Sequence, residues 1–507
     1  MSAQFSGVVV THDGHILTAA HTTIPGKTYK VMFSDGKEAI AMALGKIEYT
    51  ENRTAPDVAM MKISTEGNWP YAEMARSSAL LKNEPCISIA YPESLNQKLP
   101  TVRFGQIADV NNQYGFIQST CIMEPGDSGG PLFDFLGRVI GIHSAIEPNE
   151  DLNYEIPIDL YRKYWTALQE PRVFTSLPEK VDKIEDESSG VEIERFANGI
   201  KLPLLSTKSA NLQRSIVTIT SKGKGETIEG SGTLISLKGI KAGKWKGKSI
   251  VIGKSSLVGN EPVINFGSTE KVAAKVLRRD QENDLILLVA ETLIDGGIKV
   301  DDMHIDSVAS KEIGRFLFSP LTNKVPKTSV MGSMLFELPK ITSVGFLGAA
   351  IAPDNGKILL TRVMPESPAA ISGLSVGDEI ISINYVKMER PENYGEQLQK
   401  YWPGDSLLFE ILKEGKIQSK QIVLTARPQP PATHPAELFE GGKSKRRDAF
   451  RSVFAHDARL TPAECGGPVF DLQGKFFGIN IARFSRTTSI AIPSGIVRQF
   501  IINTLEI

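Results

Sequence analysis

A chain of 507 residues is longer than one hydrophobic core of ordinary size can organise, so roughly two to four domains are expected. Hydrophobic residues at 41%, charged residues at 23% and a formal net charge of -1 give no electrostatic basis for a nucleic-acid or anionic-membrane partner. No apolar run is long enough to cross a bilayer, the opening "MSAQFSGVVV" lacks a basic segment followed by an apolar one, and Cys86, Cys121 and Cys465 are too few and too scattered for a disulfide framework or a metal motif; neither stable membrane insertion, nor a visible signal peptide, nor a metal or cofactor is expected.

Residues 5 to about 164 are dense in short alternating apolar runs, "GVVVTHDGHILTA", "YKVMFSDG", "VAMMKI", "CISIAYP" and "RVIGIHSA", punctuated by Gly, Pro, Asn and Asp. This pattern predicts an all-β sandwich or barrel, with Cys86 and Cys121 as buried apolar thiols. From 169 to 210 the chain turns charged and loop-like ("LPEKVDKIEDESSGVEIE"), which predicts a linker. The β pattern resumes at Asn211, runs to about Leu338, and returns after Asp448 in "AFRSVFAHD" and "GKFFGINIAR". Between these parts lie a segment of mixed pattern and a Pro-rich, then basic, connector, "RPQPPATHPAELFEGGKSKRR", whose run from Lys443 to Arg447 reads as a solvated loop.

A long-period repeat organises the whole. "ILTAAHTTI" is paired by "VIGKSSLVG", "PDVAMMKI" by "NDLILLVA", "PGDSGGPLF" by "PAECGGPVF", and "YEIPIDLYRKY" by "IAIPSGIVRQF". The offset is nearly constant for the first two pairs and then grows by roughly 110 residues, the length of a small domain. The expected domains are therefore 1–168, a linker over 169–210, a second copy over 211–341 and 443–507, an inserted domain over 342–428, and a connector over 429–442.

In the first copy His21, Asp57 and Ser128 stand in that order in "TAAH", "DVAMMK" and "GDSGGP", and the set resembles the trypsin-like serine proteases over residues 5 to about 165. The resemblance implies the roles: Ser128 attacks a carbonyl, His21 takes and returns the proton, and Asp57 holds the imidazole tautomer and stabilises its charged form. It also implies an oxyanion hole made by the N–H groups of Gly126 and Ser128. The alternative, a structural Gly-rich turn near an unrelated histidine, has to explain three ordered landmarks at once. Within that superfamily the chain is similar to the HtrA/Deg proteases, which join a disulfide-poor trypsin-like domain to PDZ modules. "DGHILTAAH", "SDGKEA", "GDSGGPLFDFLGRVIGIH" and "NYEIPID" carry the likeness.

Two departures stand out. Asp127 occupies a place where the HtrA loop usually has Asn; zymogen-activated trypsins use an Asp there to pair with a freed N-terminus, and no Arg-Ile-Val-Gly-Gly type site exists here, so what orders the loop is left open. The second copy has a leading strand, "SIVTITSKGKGETIEGSG", without an equivalent in the first, so a segment upstream of Met1 is expected, with room for a signal peptide ahead of it. Ile122 stands where trypsin-like enzymes form the floor of the primary pocket. The resemblance implies an apolar pocket for aliphatic side chains; a plain core isoleucine is the alternative.

The second copy has Ser256 or Ser255 in place of the base, Cys465 in place of the nucleophile and Ala463 in place of the oxyanion glycine, while keeping an acid at Asp284. Loss of a triad member costs on the order of 10⁴ to 10⁶ in turnover, and a Cβ at 463 disfavours a positive-φ turn. The copy reads as a pseudoprotease, with Cys465 as a small buried filler or, alternatively, a redox or modification site. The insertion resembles a PDZ domain through "VGFLGAAIA" and "SPAAISGLSVGDEIISIN". That resemblance implies strand addition by a peptide whose terminal carboxylate is received by the N–H groups of Phe346, Leu347 and Gly348, with Tyr394, Leu398 and Tyr401 completing the pocket. A PDZ packed on its host without a free peptide stays open as an alternative.

The expected architecture is mainly β: two trypsin-like double β-barrel domains, the second interrupted by a nested α+β PDZ domain. The implied function is a cofactor-free serine endopeptidase acting on unfolded or misfolded polypeptides, with peptide C-termini as PDZ partners, an extracytoplasmic location, and a homo-oligomer left open. The alternatives are a catalytically silent peptide-binding scaffold or regulatory pseudoprotease, and a dual protease using both centres.

Overall fold

The computed structural model describes residues 4–48, 56–95, 99–184, 212–223, 225–239, 243–267, 270–303, 310–429 and 431–507. Two compact units emerge: Met1–Phe336 with Thr433–Lys445 and Ser452–Ile507, and Glu337–Ala432 with Arg446–Arg451.

The larger unit holds both copies. In the first, strands Val8–Val9, His15–Ala19, Asp57–Ile63, Glu38–Glu48 and Val173–Phe174 form a sheet in that order, with Thr28–Met32 paired to Glu38–Glu48. A second sheet closes into a barrel: Val139–Ile146, Asn153–Pro157, Ile117–Ser119, Thr101–Asp109, Pro85–Ala90 and Pro131–Asp134. Leu17, Val58, Met60, Ile142, Ile156 and Tyr161 share one buried cluster that joins the two sheets. Each large apolar side chain so buried contributes about 1.5–3 kcal/mol. Thr101–Asp109 shows the period-2 logic of a barrel strand, with Thr101, Arg103, Gly105 and Ile107 buried and their neighbours less so.

The repeat is visible in register. Ala19 pairs with Val58 in the first copy and Lys254 with Leu285 in the second, so corresponding turns follow corresponding strands. In the second copy Ile216–Lys222 pairs with both Thr227–Ser236 and Asn260–Phe266 and closes the sheet. Among the described residues, the matching sheet of the first copy has no pairing that closes it at that place. The second half of this copy orders Lys327–Val330, Phe316–Ser319, Pro468–Asp471, Phe476–Arg483, Ser489–Pro493 and Phe450–His456.

The smaller unit is an α+β fold whose sheet runs Ala349–Asp354, Lys357–Val363, Glu379–Ile383, Ser406–Lys413, Lys416–Val423, with helices Pro368–Ile371 and Pro391–Lys400. It extends beyond the expected 342–428. Asp448 Oδ2 accepts hydrogen bonds from Ile341 N (2.8 Å) and Thr342 Oγ1 (2.9 Å), and the Arg446 guanidinium lies 4.2 Å from the Trp402 ring centre, which draws Arg446–Arg451 into this unit. The basic run is thus not a solvated loop: Ser444 is buried, and its N–H donates to Arg483 O at 2.9 Å within the larger unit. Residues 169–184 of the expected linker run along the surface and are tied to the first copy, since Val173–Phe174 pairs in parallel with Glu38–Glu48 and Asp182 accepts from Thr166 Oγ1 at 2.6 Å. The rest of that linker, 185–210, lies outside the described residues. Among the described residues no helix is long and apolar enough to cross a membrane.

Candidate active site

The register of His15–Ala19 on Asp57–Ile63 delivers the turn Ala20–Thr22 to the start of the partner strand. There His21 meets Asp57 twice: its backbone N–H donates to Oδ1 at 2.9 Å and its ring Nδ1–H to Oδ2 at 2.7 Å. Ser144 Oγ donates a third bond, to Oδ2, at 2.7 Å. With Nδ1 carrying the proton, Nε2 holds the lone pair a general base needs, and the imidazole stays reachable, its side chain 43% exposed against 15% for Asp57. Burial works against the charged imidazolium, but the hydrogen bond that His21 donates to Asp57 and the charge of that carboxylate outweigh it, so His21 titrates above its ordinary value. A general base must be neutral, so with His21 in that role kcat/KM is expected to rise along a limb whose midpoint lies above 6.5; a pH–rate profile with its midpoint at or below that value contradicts this electrostatic picture.

The loop "GDSGG" is folded onto the strand that leads to His21. Ser128 O accepts from Ser6 N at 2.9 Å, Gly126 O from Ser6 Oγ at 2.8 Å, and Gly129 N donates to His143 O at 2.8 Å. A Cβ at Gly129 would come 2.0 Å from Thr18 Oγ1, three residues ahead of His21, so only glycine allows this approach. Gly126 has φ +98, and a Cβ there would lie 2.5 Å from both Glu93 N and Tyr91 O. The backbone N–H groups of Gly126 and Ser128 donate to no acceptor among the described residues, as an oxyanion hole requires. No direct hydrogen bond joins the side chains of His21 and Ser128 in this structure.

The question posed by Asp127 has a physical answer. Its carboxylate is buried and held by both terminal nitrogens of Arg103, each at 2.6 Å, while Oδ2 also accepts Glu124 N at 2.9 Å. Arg103 further donates to Ile122 O at 2.8 Å. Burial opposes the guanidinium charge, but Asp127 outweighs it and holds Arg103 above its ordinary value. An internal cation thus stands where zymogen-activated enzymes bring an amino terminus. Neither Arg103 nor Ser144 was singled out from the sequence; the available signal for Arg103 was a charge at an inward position of an alternating strand. Ile122 is buried and lines a cavity of about 170 Å³ shared with Lys327, Thr328, Asp457 and Arg459 of the second copy.

Beneath the loop, Ser88 Oγ lies 2.7 Å from His143 Nε2, with Glu155 on the other side of the ring at 3.6 Å. These residue types match a hydrolytic triad, but all three are fully buried, burial pushes His143 down to about 3, and burial pushes Glu155 well up. A neutral core cluster with no access to substrate results.

Residues 5–142 match the family described as "Trypsin-like peptidase domain", and residues 335–393 match "PDZ domain". A probable periplasmic serine endoprotease DegP-like from Hahella chejuensis is 24% identical over 422 residues, 81% of this chain and 78% of that protein. Serine protease HTRA1 from Xenopus laevis is 32% identical over 170 residues, 32% of this chain and 36% of its own length. The chain is thus similar to DegP-like and HTRA serine proteases, with a trypsin-like peptidase match and a PDZ match in the same chain. Among solved structures, the HtrA-type protease AlgW with a tripeptide is aligned over 84% of this chain and 90% of its own, at 18% identity and a TM-score of 0.30.

The second trypsin-like copy of this HtrA-like chain keeps the backbone plan and fills the site. Ser256 N donates to Asp284 Oδ1 and Ser256 Oγ to Oδ2, both at 2.8 Å, repeating the His21 pattern with a hydroxyl. Lys254, in the place of Ala19, buries its ammonium 2.8 Å from Asp284 Oδ2 and 2.6 Å from Ile481 O. Cys465 is buried, and burial raises its thiol, so little thiolate forms. Pro462–Glu464 is a 3-10 turn in which Cys465 N donates to Pro462 O at 3.2 Å, so the amide matching Ser128 N is already engaged. Ser255 points elsewhere: its hydroxyl and carbonyl accept from Arg279.

In the PDZ unit Phe346 N donates to Thr425 O at 2.8 Å, which removes it from the three expected carboxylate donors. The amides of Leu347 and Gly348 have no acceptor among the described residues. Tyr394, on helix Pro391–Lys400, donates to Ala349 O at 2.8 Å, and Leu398 and Tyr401 pack against the same core. Ala349–Asp354 is the edge strand, but Pro353 within it has no N–H, so the stretch open to strand addition is short.

Proposed function

We propose that the first copy hydrolyses peptide bonds through acyl transfer: Ser128 attacks, His21 Nε2 accepts its proton and returns it to the leaving amine, and Asp57 orients and stabilises His21. The tetrahedral oxyanion is received by the amides of Gly126 and Ser128, and water then releases the acyl group with His21 again as base. The observation that carries this reading is the 2.7 Å bond from His21 Nδ1 to Asp57, together with a glycine loop packed on Thr18 of the strand leading to His21, in which the amides of Gly126 and Ser128 have no acceptor among the described residues. Substrates are exposed apolar segments of polypeptides, with an aliphatic preference at the pocket near Ile122. The second copy is catalytically silent, and the PDZ unit takes peptide C-termini through Leu347 and Gly348. An extracytoplasmic setting accords with relatives named as periplasmic.

One observation favours the silent-scaffold reading: His21 and Ser128 are not hydrogen-bonded to each other. Apo sites often hold this pair loosely and tighten with substrate. A fluorophosphonate probe separates the two. Phosphonylation mapped to Ser128, quenched by prior heat unfolding, supports the protease; an unlabelled native chain supports the scaffold.

A further inference from the structure

The silent copy touches the first copy at chosen places. Arg486 donates from Nη2 to Asn149 O at 2.9 Å and from Nη1 to Pro148 O at 3.2 Å. Arg483 Nη2 lies 2.8 Å from Glu150 Oε1. Arg459 pairs with Asp151 and donates to Thr120 O at 3.3 Å, and Thr487 N donates to Glu124 Oε2 at 3.3 Å. These partners belong to two loops. One, 120–124, runs directly into Gly126–Ser128; the other, 147–152, follows Ser144, which bonds Asp57. Asn153 ties them together, its Oδ1 accepting Met123 N at 3.1 Å and its Nδ2 donating to Glu150 O at 2.8 Å.

The strand that presents Arg103 is held as well. Val102 N donates to Gly332 O at 3.0 Å and Phe104 N to Asp457 Oδ2 at 2.8 Å, while Arg103 between them faces inward to Asp127. Arg483 and Arg486 are buried guanidiniums, and a cation without water needs fixed acceptors. The first copy supplies acceptors to both, so the joint is specific in geometry as well as in charge.

We propose that the silent copy is a permanent intramolecular brace for the first, with Arg483 and Arg486 as positioning residues that hold the loop leading into Gly126–Ser128 and the loop following Ser144. This inference rests on the protease reading above and adds the use of the degenerate copy: substrate capture depends on it, while the intrinsic reactivity of Ser128 depends on it much less.

The test uses the full chain. Arg486→Met is expected to lower kcat/KM on an oligopeptide with aliphatic side chains by on the order of 10- to 100-fold, chiefly through KM, with fluorophosphonate labelling of Ser128 within about twofold of the parent. Since removing a buried guanidinium also bears on folding, Arg459→Met, at a partly exposed pair, is measured alongside and is expected to raise KM by a smaller factor with unchanged thermal unfolding. Unchanged kcat/KM in Arg486→Met overturns the brace, as does labelling that falls in proportion to kcat/KM, which would make the arginine a support of the fold or the nucleophile. A parent chain that is not labelled at Ser128 overturns the protease reading itself.

Discussion

Ser128→Ala is expected to lower hydrolysis of casein or an oligopeptide by roughly 10⁴- to 10⁶-fold, whereas Cys465→Ala leaves it within about twofold. The asymmetry follows from three differences between copies that share one backbone plan. Asp57 faces an imidazole at 2.7 Å, but Asp284 faces a serine hydroxyl and the Lys254 ammonium, each at 2.8 Å, so among the described residues the place of the base is taken by groups that do not accept a proton at neutral pH. Ser128 N has no acceptor among the described residues, but Cys465 N is bonded to Pro462 O. Cys465 is also buried, and its thiol is raised by that burial rather than lowered toward a reactive thiolate. Residual cleavage in Ser128→Ala that a thiol reagent abolishes would mean that the second centre works after all, and would sink the assignment of silence. Equal loss of activity in Cys465→Ala and Ser128→Ala, with both proteins folded, would do the same.

The parts of this site that were legible in the sequence are those that local rules place. A strand register of Ala19 on Val58 puts the residue two positions on beside Asp57, and the glycines flanking Ser128 mark a backbone that only they can follow. Matching landmarks in the second copy, and the excess length between the last two, exposed the insertion for the same reason: strand and turn signals are short-range. What stayed hidden depends on which inward side chain meets which. Alternation says that Arg103 points into the barrel, but nothing along the chain says that it meets Asp127 rather than another core group. Ser144 and the arginines of the joint are hidden in the same way, as partners brought together by barrel closure from far along the polypeptide. The error at Phe346 has a different origin. Its amide lies at the end of the sheet, and its bridge to Thr425 depends on where the last strand finishes, a boundary that pattern reading places least well.

Arg103→Met is expected to remove about 3–5 kcal/mol of stability by leaving the Asp127 carboxylate buried without its cation, and to lower kcat/KM by on the order of 10³. The two effects share one cause. Asp127 stands between Gly126 and Ser128, and its Oδ2 also receives Glu124 N, so a carboxylate that turns out toward water takes the oxyanion amides and the nucleophile with it. Burying the charge unpaired is the costlier course, and the loop therefore gives way before the barrel does. Adding Asp127→Asn to Arg103→Met removes the unpaired charge and is expected to restore most of the thermal stability, while activity recovers only in part, because the amide lacks the bidentate partner that fixed the loop. Calorimetric unfolding and peptide hydrolysis of the parent, both single variants and the double variant complete the cycle. Near-additive losses, or full activity in Arg103→Met, would show that the loop is ordered by something other than this pair. Coupling of the expected size would instead mean that the nucleophile loop carries its own counter-ion inside the barrel, so that no newly exposed amino terminus is needed to order it.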